Sequence, residues 1–321
     1  LYFFSLDNII FSLISYFLAL IGFWGSLVFY NSYLPDIAHK EQQDKISAKG
    51  FSLGYIGSVI LLLICLAMVM MVEETQAIQM MKYSFLLVGI WWIGFSQYTY
   101  YYLPDNKNSN KMHKNVIFNG FRELLKVWHQ IKNILPLKRY LAAFFVYSMA
   151  VQTIMIIAAY FGEKEVQWGS DSKRTTGLII SILVIQLVAV FGAWITSKLV
   201  EKFGNIKVLM LLNFLWILIC TYAYFVVTPN DFYIAAFFVG LVMGGIQSLS
   251  RSTYSKFIPS DTKDTTSFFS FYDVAEKVGI VIGMLTYGYI ADITGKIQNA
   301  ILFLILFFIV GLLLLLRVPK N

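Results

Sequence analysis

The sequence has 321 residues, of which 58% are hydrophobic and 13% are charged, and its formal net charge is +7. Soluble domains usually contain about 25% charged and about 45–50% apolar residues. This composition therefore predicts a polytopic membrane protein and argues against disorder, a secreted disulfide scaffold or a soluble enzyme. The two cysteines, Cys65 and Cys220, lie inside apolar runs and predict neither a disulfide nor a thiolate metal site.

Nine mostly apolar runs of roughly 20 residues, the length that a membrane helix needs, follow one another along the chain. We expect spans at 9–31, 51–72, 83–103, 141–161, 176–197, 208–228, 232–250, 268–290 and 299–316. The run 268–290 is the least regular, because it contains Asp273, Glu276 and Lys277. The strands of a β-barrel would be about ten residues long and would alternate in polarity, so the runs predict an all-α fold.

Lysine and arginine residues concentrate in alternate loops of this arrangement. Nineteen of the 25 lie in the loops 35–50, 105–139, 198–207 and 251–263 and in the tail after 316, five lie in the intervening loops, and Lys277 lies inside a span. Because cytoplasmic loops carry the excess of basic residues, we expect the N-terminus outside and the C-terminus in the cytoplasm. The net charge then reflects orientation and gives no indication of nucleic-acid binding.

The loop 105–137 separates the first three spans from the last six. Its polar opening, 105–114, is typical of a flexible segment, whereas 116–135 has helical spacing. One face of this helix would be apolar and is formed by Ile117, Phe121, Leu124, Trp128, Ile131 and Leu135. We expect a basic amphipathic helix in the headgroup plane, and a helix that binds a partner protein is the alternative.

The first three spans repeat the last three. Their starts are offset by about 215–225 residues, and one local match coincides with this offset: Tyr30, Tyr33, Leu34 and Pro35 correspond to Tyr254, Phe257, Ile258 and Pro259. Repeated bundles are typical of transporters. Because spans four to six have no counterpart, we expect three further spans before residue 1 and a twelve-helix plan.

A six-plus-six repeat joined by a long basic loop resembles the major facilitator superfamily of transporters. The segment 199–207 carries Glu201, Lys202, Gly204 and Lys207 and is similar to the acidic-basic loop motif of that superfamily, although Ser197 stands where the family usually has glycine. The resemblance implies that these four residues belong to a cytoplasmic gate.

Four further segments resemble the vacuolar-effluxer-like branch, also called the Unknown Major Facilitator family. They are 54–57, 161–165, 244–254 and 267–277, and the resemblance covers nearly the whole chain. Most bacterial members of the branch have no established substrate, and fungal relatives are associated with amino-acid export from the vacuole. The resemblance thus implies a monomer in the bacterial inner membrane that exports a small polar solute such as an amino acid.

The superfamily resemblance also implies a division of the chain and a mechanism. Residues 1–104 would be the last three spans of the N-terminal bundle, 105–137 a cytoplasmic linker with an amphipathic helix, and 138–321 the C-terminal six-helix bundle. The two bundles would rock around a site near the bilayer midplane in alternating access.

Charged residues inside a span are costly and therefore indicate function. Asp273, Glu276 and Lys277 share one side of the eighth span, and Arg251 lies near the predicted cytoplasmic end of the seventh. Two interpretations stay open. In one, Asp273, Lys277 and Arg251 form a network that holds two helices together and closes a gate; in the other, Glu276 takes and releases a coupling proton.

Two uncharged polar residues are candidates for contact with the substrate. Gln152 and Gln247 lie well inside their spans, and in the superfamily the equivalent spans line the central cavity; the alternative is that each merely joins helices by a hydrogen bond. Two glycine pairs, Gly240 with Gly244 and Gly279 with Gly283, have the spacing of close helix crossings.

The sequence favours a transporter over the alternative, a membrane-embedded enzyme or scaffold. The three histidines, His39, His113 and His129, lie in predicted loops, so we expect no metal site, and no Gly-rich nucleotide loop or other sign of a cofactor occurs. A channel is a third possibility, but no filter loop is recognisable.

Overall fold

The computed structural model of the chain describes residues 2–3, 8–103, 116–260, 262 and 264–319, with side chains in these ranges except at 74, 75 and 116–119. The polar stretch predicted to be flexible, 105–114, lies outside the described residues, as do Lys263 and Lys320.

The described residues fold into helices and contain no strand, which confirms the all-α fold. The helices are α1 (Ile9–Ser32), α2 (Leu34–Ile37), α3 (Gln43–Met70), α4 (Glu74–Tyr102), α5 (Val116–Asn133), α6 (Leu135–Glu165), α7 (Asp171–Phe203), α8 (Asn205–Ala223), α9 (Pro229–Phe257), α10 (Thr265–Thr294) and α11 (Ile297–Leu315).

Eight of the described helices are long and apolar enough to cross a membrane. They are α1, α3, α4, α6, α7, α8, α9 and α11. The remaining long helix, α10, has 30 residues, which is enough to cross a bilayer, but it carries Asp273, Glu276 and Lys277 in its middle. The expected count of nine spans is therefore not confirmed, and the predicted eighth span, 268–290, which corresponds to α10, stays a prediction.

Two compact units make up the chain. The first combines Leu1–Leu27 with Gly57–Phe121, and the second combines Val28–Ile56 with Arg122–Asn321. In the first unit the rings of Phe23 and Trp92 meet edge to face at 5.4 Å. Large apolar side chains of this unit, such as Phe17 and Ile90, are more than 60% exposed, as suits helices that face lipid. The predicted division at 104 and 137 stays a prediction.

The second unit has a packed core around α6 and α9. Tyr140 and Tyr147 of α6 are fully buried, and their hydroxyls bond to Ser250 of α9. Close helix crossings bring these elements together. A Cβ atom added at Gly240 or Gly244 would run into the backbone of α7, and one at Gly283 would run into Thr153 and Met149 of α6. Both glycine pairs predicted from their spacing thus lie at helix crossings.

The amphipathic segment forms a helix, as its spacing predicts. In the second unit Val127 and Ile131 of α5 are buried, and Trp128 stacks on Phe271 of α10 with ring centroids 5.6 Å apart. Val127 and Ile131 therefore pack against the chain's own helices, whereas Phe121 and Leu135 of the predicted apolar face are 64% and 50% exposed. The alternative of a helix that binds a partner protein stays open. Whether the helix lies in the headgroup plane stays a prediction.

The start of α10 determines how deep its charged residues lie. The carboxylate of Asp264 accepts hydrogen bonds from the backbone N–H and the hydroxyl of Ser267, at 3.0 and 2.5 Å, and so caps the first turn of the helix. At a rise of about 1.5 Å per residue, Asp273 lies roughly 12 Å and Glu276 roughly 16 Å beyond Thr265. Both carboxylates are therefore well inside the helix.

Candidate functional site

The charged residues of α10 pair with one another. The Nζ atom of Lys277 lies 3.2 Å from Oδ1 of Asp273 and 2.6 Å from Oε2 of Glu276. The side chains of Asp273, Glu276 and Lys277 are only 15%, 16% and 26% exposed. If all three are ionised, one negative charge remains in excess. The group thus has the composition of a site that can take up one further positive charge, such as a proton or a cation.

Gln152 connects this charged group to α6. Its side-chain nitrogen donates a hydrogen bond of 2.7 Å to Oε1 of Glu276, across 124 residues of sequence. Glu276 therefore accepts bonds on both oxygens, one from a neutral amide and one from a cation. We call Gln152, Asp273, Glu276 and Lys277 the polar chain. Its four members are all residues that the sequence singles out, but the sequence did not predict the contact between Gln152 and Glu276.

Gln247, the other candidate for substrate contact, belongs to a second group of polar atoms. Its Oε1 atom accepts a hydrogen bond from the Tyr55 hydroxyl of α3, and its Nε2 atom donates to Sδ of Met155 at 3.3 Å. Met155 lies one turn from Gln152 on α6. Gln152 thus lies on α6, and Gln247 contacts α6 through Met155. Both glutamine side chains have hydrogen-bond partners in this conformation, so a substrate would have to displace those partners to bind to either glutamine.

Arg251 is buried and is held by neutral groups. Its Nε and NH2 atoms donate to Oγ and to the carbonyl oxygen of Ser47, at 3.0 and 3.1 Å, and its NH1 atom donates to Oδ1 of Asn31 at 3.0 Å. The guanidinium also lies over the rings of Phe51 and Tyr30, at 4.6 and 5.3 Å. Arg251 is 6% exposed. It joins α9 to the ends of α1 and α3 that meet in the second unit.

The expected network of Arg251 with Asp273 and Lys277 does not form in this conformation. Within the described residues Arg251 makes no ion pair, and Asp273 pairs with Lys277. The reason is that Lys277 lies one turn from Asp273 on the same helix and satisfies it locally, whereas Arg251 points to the end of α3. The network interpretation thus divides into two separate sets of contacts.

Besides the charged residues of α10, another ion pair lies near Arg251, at the C-terminal end of α9. Lys256 of α9 pairs with the carboxylate of Asp44 in the first turn of α3. Asn205, the first residue of α8, donates to Oδ1 of Asp44 at 2.8 Å and to the hydroxyl of Thr253 at 3.0 Å, and it accepts from Lys256 at 3.1 Å. The side chains of Lys256 and Asp44 are 20% and 11% exposed. This pair is therefore shielded from most of the solvent.

We name these contacts of the second unit the latch. Its members are the residues that join the ends of α1 and α3 to α8 and α9: Asn31, Asp44, Ser47, Asn205, Arg251 and Lys256. Sequence reasoning selected only Arg251 from this set. One signal existed for others, because Tyr30 and Asn31 lie in one copy of the short repeated segment and Lys256 lies in the other.

The predicted gate motif lies beside the latch and contributes geometry to it. Gly204 separates α7 from α8 with a φ of +80°, a conformation that glycine adopts without strain, and so places Asn205 at the start of α8. Glu201 pairs with Lys198 at 3.4 Å, and both side chains are more than half exposed. Lys202 and Lys207 are exposed as well. The roles of these charged motif residues in a gate stay predictions.

Comparisons with known proteins agree on one family. The sequence profile described as "Vacuole effluxer Atg22 like" matches residues 1–321. The chain is 32% identical over 318 residues to the "Uncharacterized MFS-type transporter YxiO" of Bacillus subtilis, with 96% of this chain and 71% of that protein covered. It is 24% identical over 303 residues to Autophagy-related protein 22 of Vanderwaltozyma polyspora, with 85% and 55% covered. The chain thus spans about half the length of the curated fungal relatives it matches.

Solved structures with a similar fold include the Escherichia coli fucose:proton symporter FucP. One crystal structure of it aligns with a TM-score of 0.64 and 16% identity, and covers 91% of this chain and 73% of that one. A structure of FucP in the outward conformation gives the same TM-score and identity, with 91% and 72% covered. At this identity the likeness concerns the fold alone.

Proposed function

This chain belongs to the family of Atg22-like vacuole effluxers, which are MFS-type transporters rather than enzymes. From that premise we propose that it functions in a secondary active transporter that works by alternating access. We propose further that the transporter exports a small polar solute such as an amino acid and couples its movement to a proton. The two-bundle division at 105–137 and the cytoplasmic position of the latch belong to the same proposal.

The observation that carries the proposal is that the second unit has a latch at one end of α1, α3, α8 and α9, and a polar chain inside the neighbouring α6 and α10. The start of α10 lies at the latch end, because Thr265 and Thr266 donate to Ser32 at the end of α1, and the polar chain begins about two turns further along α10. Arg251 and Lys256 lie in the last two turns of α9, whereas Gln247 lies one turn further in. The basic loops predict that this end faces the cytoplasm. A closed latch there, with ionisable groups behind it, is the arrangement that an outward-facing state of a transporter needs.

The polar chain supports the proposed coupling to a proton. Glu276 is held by Gln152 and Lys277 and shares with Asp273 one lysine for two carboxylates. A proton on Glu276 would leave Lys277 and Asp273 as a neutral pair and would weaken the bond to Lys277. A neutral Glu276 is also a weaker acceptor for Gln152 of α6. Protonation would therefore change the contact between α10 and α6, which is what coupling requires.

An amino acid is a suitable solute for such groups. It carries an ammonium and a carboxylate, and the polar chain offers carboxylate acceptors, a lysine and an amide within a few ångströms of one another. The family description, vacuole effluxer, which also covers relatives such as Autophagy-related protein 22, supports export as the direction of transport.

The experiment is solute flux in proteoliposomes that contain the full-length protein. Vesicles loaded with single radiolabelled amino acids should lose at least one of them faster than protein-free vesicles, and the rate should saturate with concentration. A flux that rises linearly with concentration and does not saturate would indicate a channel. If no amino acid is released, the proposed substrate is wrong. A panel of sugars and small organic acids then distinguishes a wrong substrate from a protein that does not transport.

A further inference from the structure

A groove of about 300 Å³ lies between the start of α6 and the end of α11 in the second unit. It is lined by Leu135, Lys138, Arg139, Ala142, Leu314 and Arg317. Three of these side chains are cationic, three are apolar, and none is acidic. A groove with this composition suits a ligand that is anionic at one end and apolar at the other.

The three cations of the groove have no acidic partner within the described residues. Some exposed basic residues have such a partner, as Arg174 has in Asp171 and Lys198 in Glu201, whereas others in the described ranges, such as Lys202 and Lys207, have none. Three like charges held close together repel one another unless an anion lies between them. The groove is distinctive because three such cations line one cavity and no acidic side chain is among its lining residues.

A hydrogen bond holds the two sides of the groove together. NH1 of Arg139 donates to the backbone carbonyl oxygen of Arg317 at 2.9 Å, so the second turn of α6 is fastened to the turn that follows α11. A guanidinium has five N–H donors, and one bond leaves the others available for phosphate oxygens. The bond also keeps the cationic side chains of Arg139 and Arg317 near each other.

The position of the groove at the ends of two candidate membrane spans favours a membrane lipid as the ligand. It lies at the shared end of two candidate spans, Leu135–Glu165 and Ile297–Leu315, where a membrane helix meets the headgroup layer. Leu135 is 50% exposed and Leu314 is partly exposed, so the apolar wall opens outward. An acyl chain can lie along such a wall while the phosphate lies among the cations.

From these observations we propose that the groove is a binding site for one anionic phospholipid, whose phosphate is held by Lys138, Arg139 and Arg317 and whose acyl chain packs on Leu135, Ala142 and Leu314. The site is separate from the polar chain and the latch, and the proposal requires only that α6 and α11 lie in a bilayer.

The test is native mass spectrometry of the full-length protein in neutral detergent, titrated separately with phosphatidylglycerol and phosphatidylcholine. We expect phosphatidylglycerol to bind at lower concentration. Since a basic residue at a membrane surface contributes roughly fivefold in affinity, the single variant Lys138→Gln should bind phosphatidylglycerol about fivefold more weakly. The triple variant Lys138→Gln, Arg139→Gln, Arg317→Gln should lose on the order of 100-fold.

A matched control removes the same charge elsewhere. Lys164→Gln, Lys173→Gln, Arg174→Gln also lowers the net charge by three, at the other end of the helices, and should bind phosphatidylglycerol as the unaltered protein does. An equal loss in the control, or equal binding of both lipids by the unaltered protein, would overturn the proposal. Because the side chain of Lys138 is exposed, Lys138→Gln keeps the test valid if the triple variant fails to fold.

Free phosphate is the other source of the same chemistry. The melting temperature of the protein in detergent should rise with phosphatidylglycerol and stay unchanged with inorganic phosphate at millimolar concentration. If phosphate alone gives the same rise, and the triple variant abolishes it, the groove binds free phosphate and the lipid proposal is wrong.

Discussion

The polar chain and the latch are both largely shielded from solvent but are built from different parts of the sequence. Three members of the polar chain lie within five residues of α10, whereas the contacts of the latch join residues 51 to 220 positions apart. The polar chain has two carboxylates for one lysine, and the latch has two cations for one carboxylate, with Arg251 held by neutral groups. The proposed function assigns proton exchange to the polar chain, and it assigns opening and closing to the contacts that the latch makes between helices.

The largest expected effect separates the two regions by proton coupling. Glu276→Gln keeps an acceptor for Gln152 but cannot exchange a proton, so proton movement that depends on substrate should fall at least about tenfold. A pH-sensitive dye inside proteoliposomes measures this movement, while counterflow of labelled substrate shows whether binding survives. Asp44→Asn makes the same chemical change in the latch and should preserve the ratio of protons to substrate. Unchanged coupling in Glu276→Gln would refute the role of Glu276.

The next effect concerns access to the region behind the latch. Arg251→Gln removes hydrogen bonds from a charged donor, which contribute about 1.5–3 kcal/mol each, so the latched state should become at least about tenfold less favoured. The labelling rate of Ser52→Cys, one turn beyond the latch on α3, reports this in inside-out vesicles after Cys65 and Cys220 are replaced by alanine. The rate should rise in Arg251→Gln and stay unchanged in Lys45→Gln, an exposed residue of the same helix. A rate that does not rise would show that Arg251 does not hold this end closed.

The two regions also show what the sequence could predict. Apolar runs of about 20 residues predict helices because the bilayer requires them, and charges within such a run are conspicuous because they are costly there. The sequence therefore predicts Asp273, Glu276 and Lys277 as site residues, and it singles out Gln152 as a polar residue well inside an apolar run. The contact between Gln152 and Glu276 depends on how α6 and α10 are rotated, which side-chain packing decides.

The latch was largely missed because its residues are common at helix ends. Asp44, Asn205 and Lys256 are polar residues in polar surroundings of the sequence, where a solvated surface is the usual outcome. Only the pairing of distant helices brings them together. The gate motif illustrates the same limit: Gly204 forms the turn, but Asn205 makes the contact.

A smaller effect tests whether the ion pair of the latch acts through its charges. A double-mutant cycle of Asp44→Asn and Lys256→Gln should give a coupling energy of about 1 kcal/mol in the free energy of opening the latch. This value is at the upper end of the range for exposed ion pairs, because both side chains are mostly buried. This corresponds to about fivefold in the labelling rate of Ser52→Cys. High salt should reduce the coupling only slightly, since a shielded pair is weakly screened. Additive effects would show that Asn205 alone holds Asp44 in place.

The smallest effect is expected for the charged residues of the predicted gate motif. Glu201 and Lys198 are both more than half exposed, so Glu201→Gln should lower the free energy of unfolding by no more than about 0.5 kcal/mol. The labelling rate of Ser52→Cys should also stay within about twofold, because within the described residues the side chain of Glu201 forms its hydrogen bonds and ion pair with Lys198 and none with the latch. Solute flux provides the decisive measurement. A flux that falls tenfold in Glu201→Gln, with latch labelling unchanged, would mean that Glu201 acts in the opposite state of the transport cycle, where the latch is open.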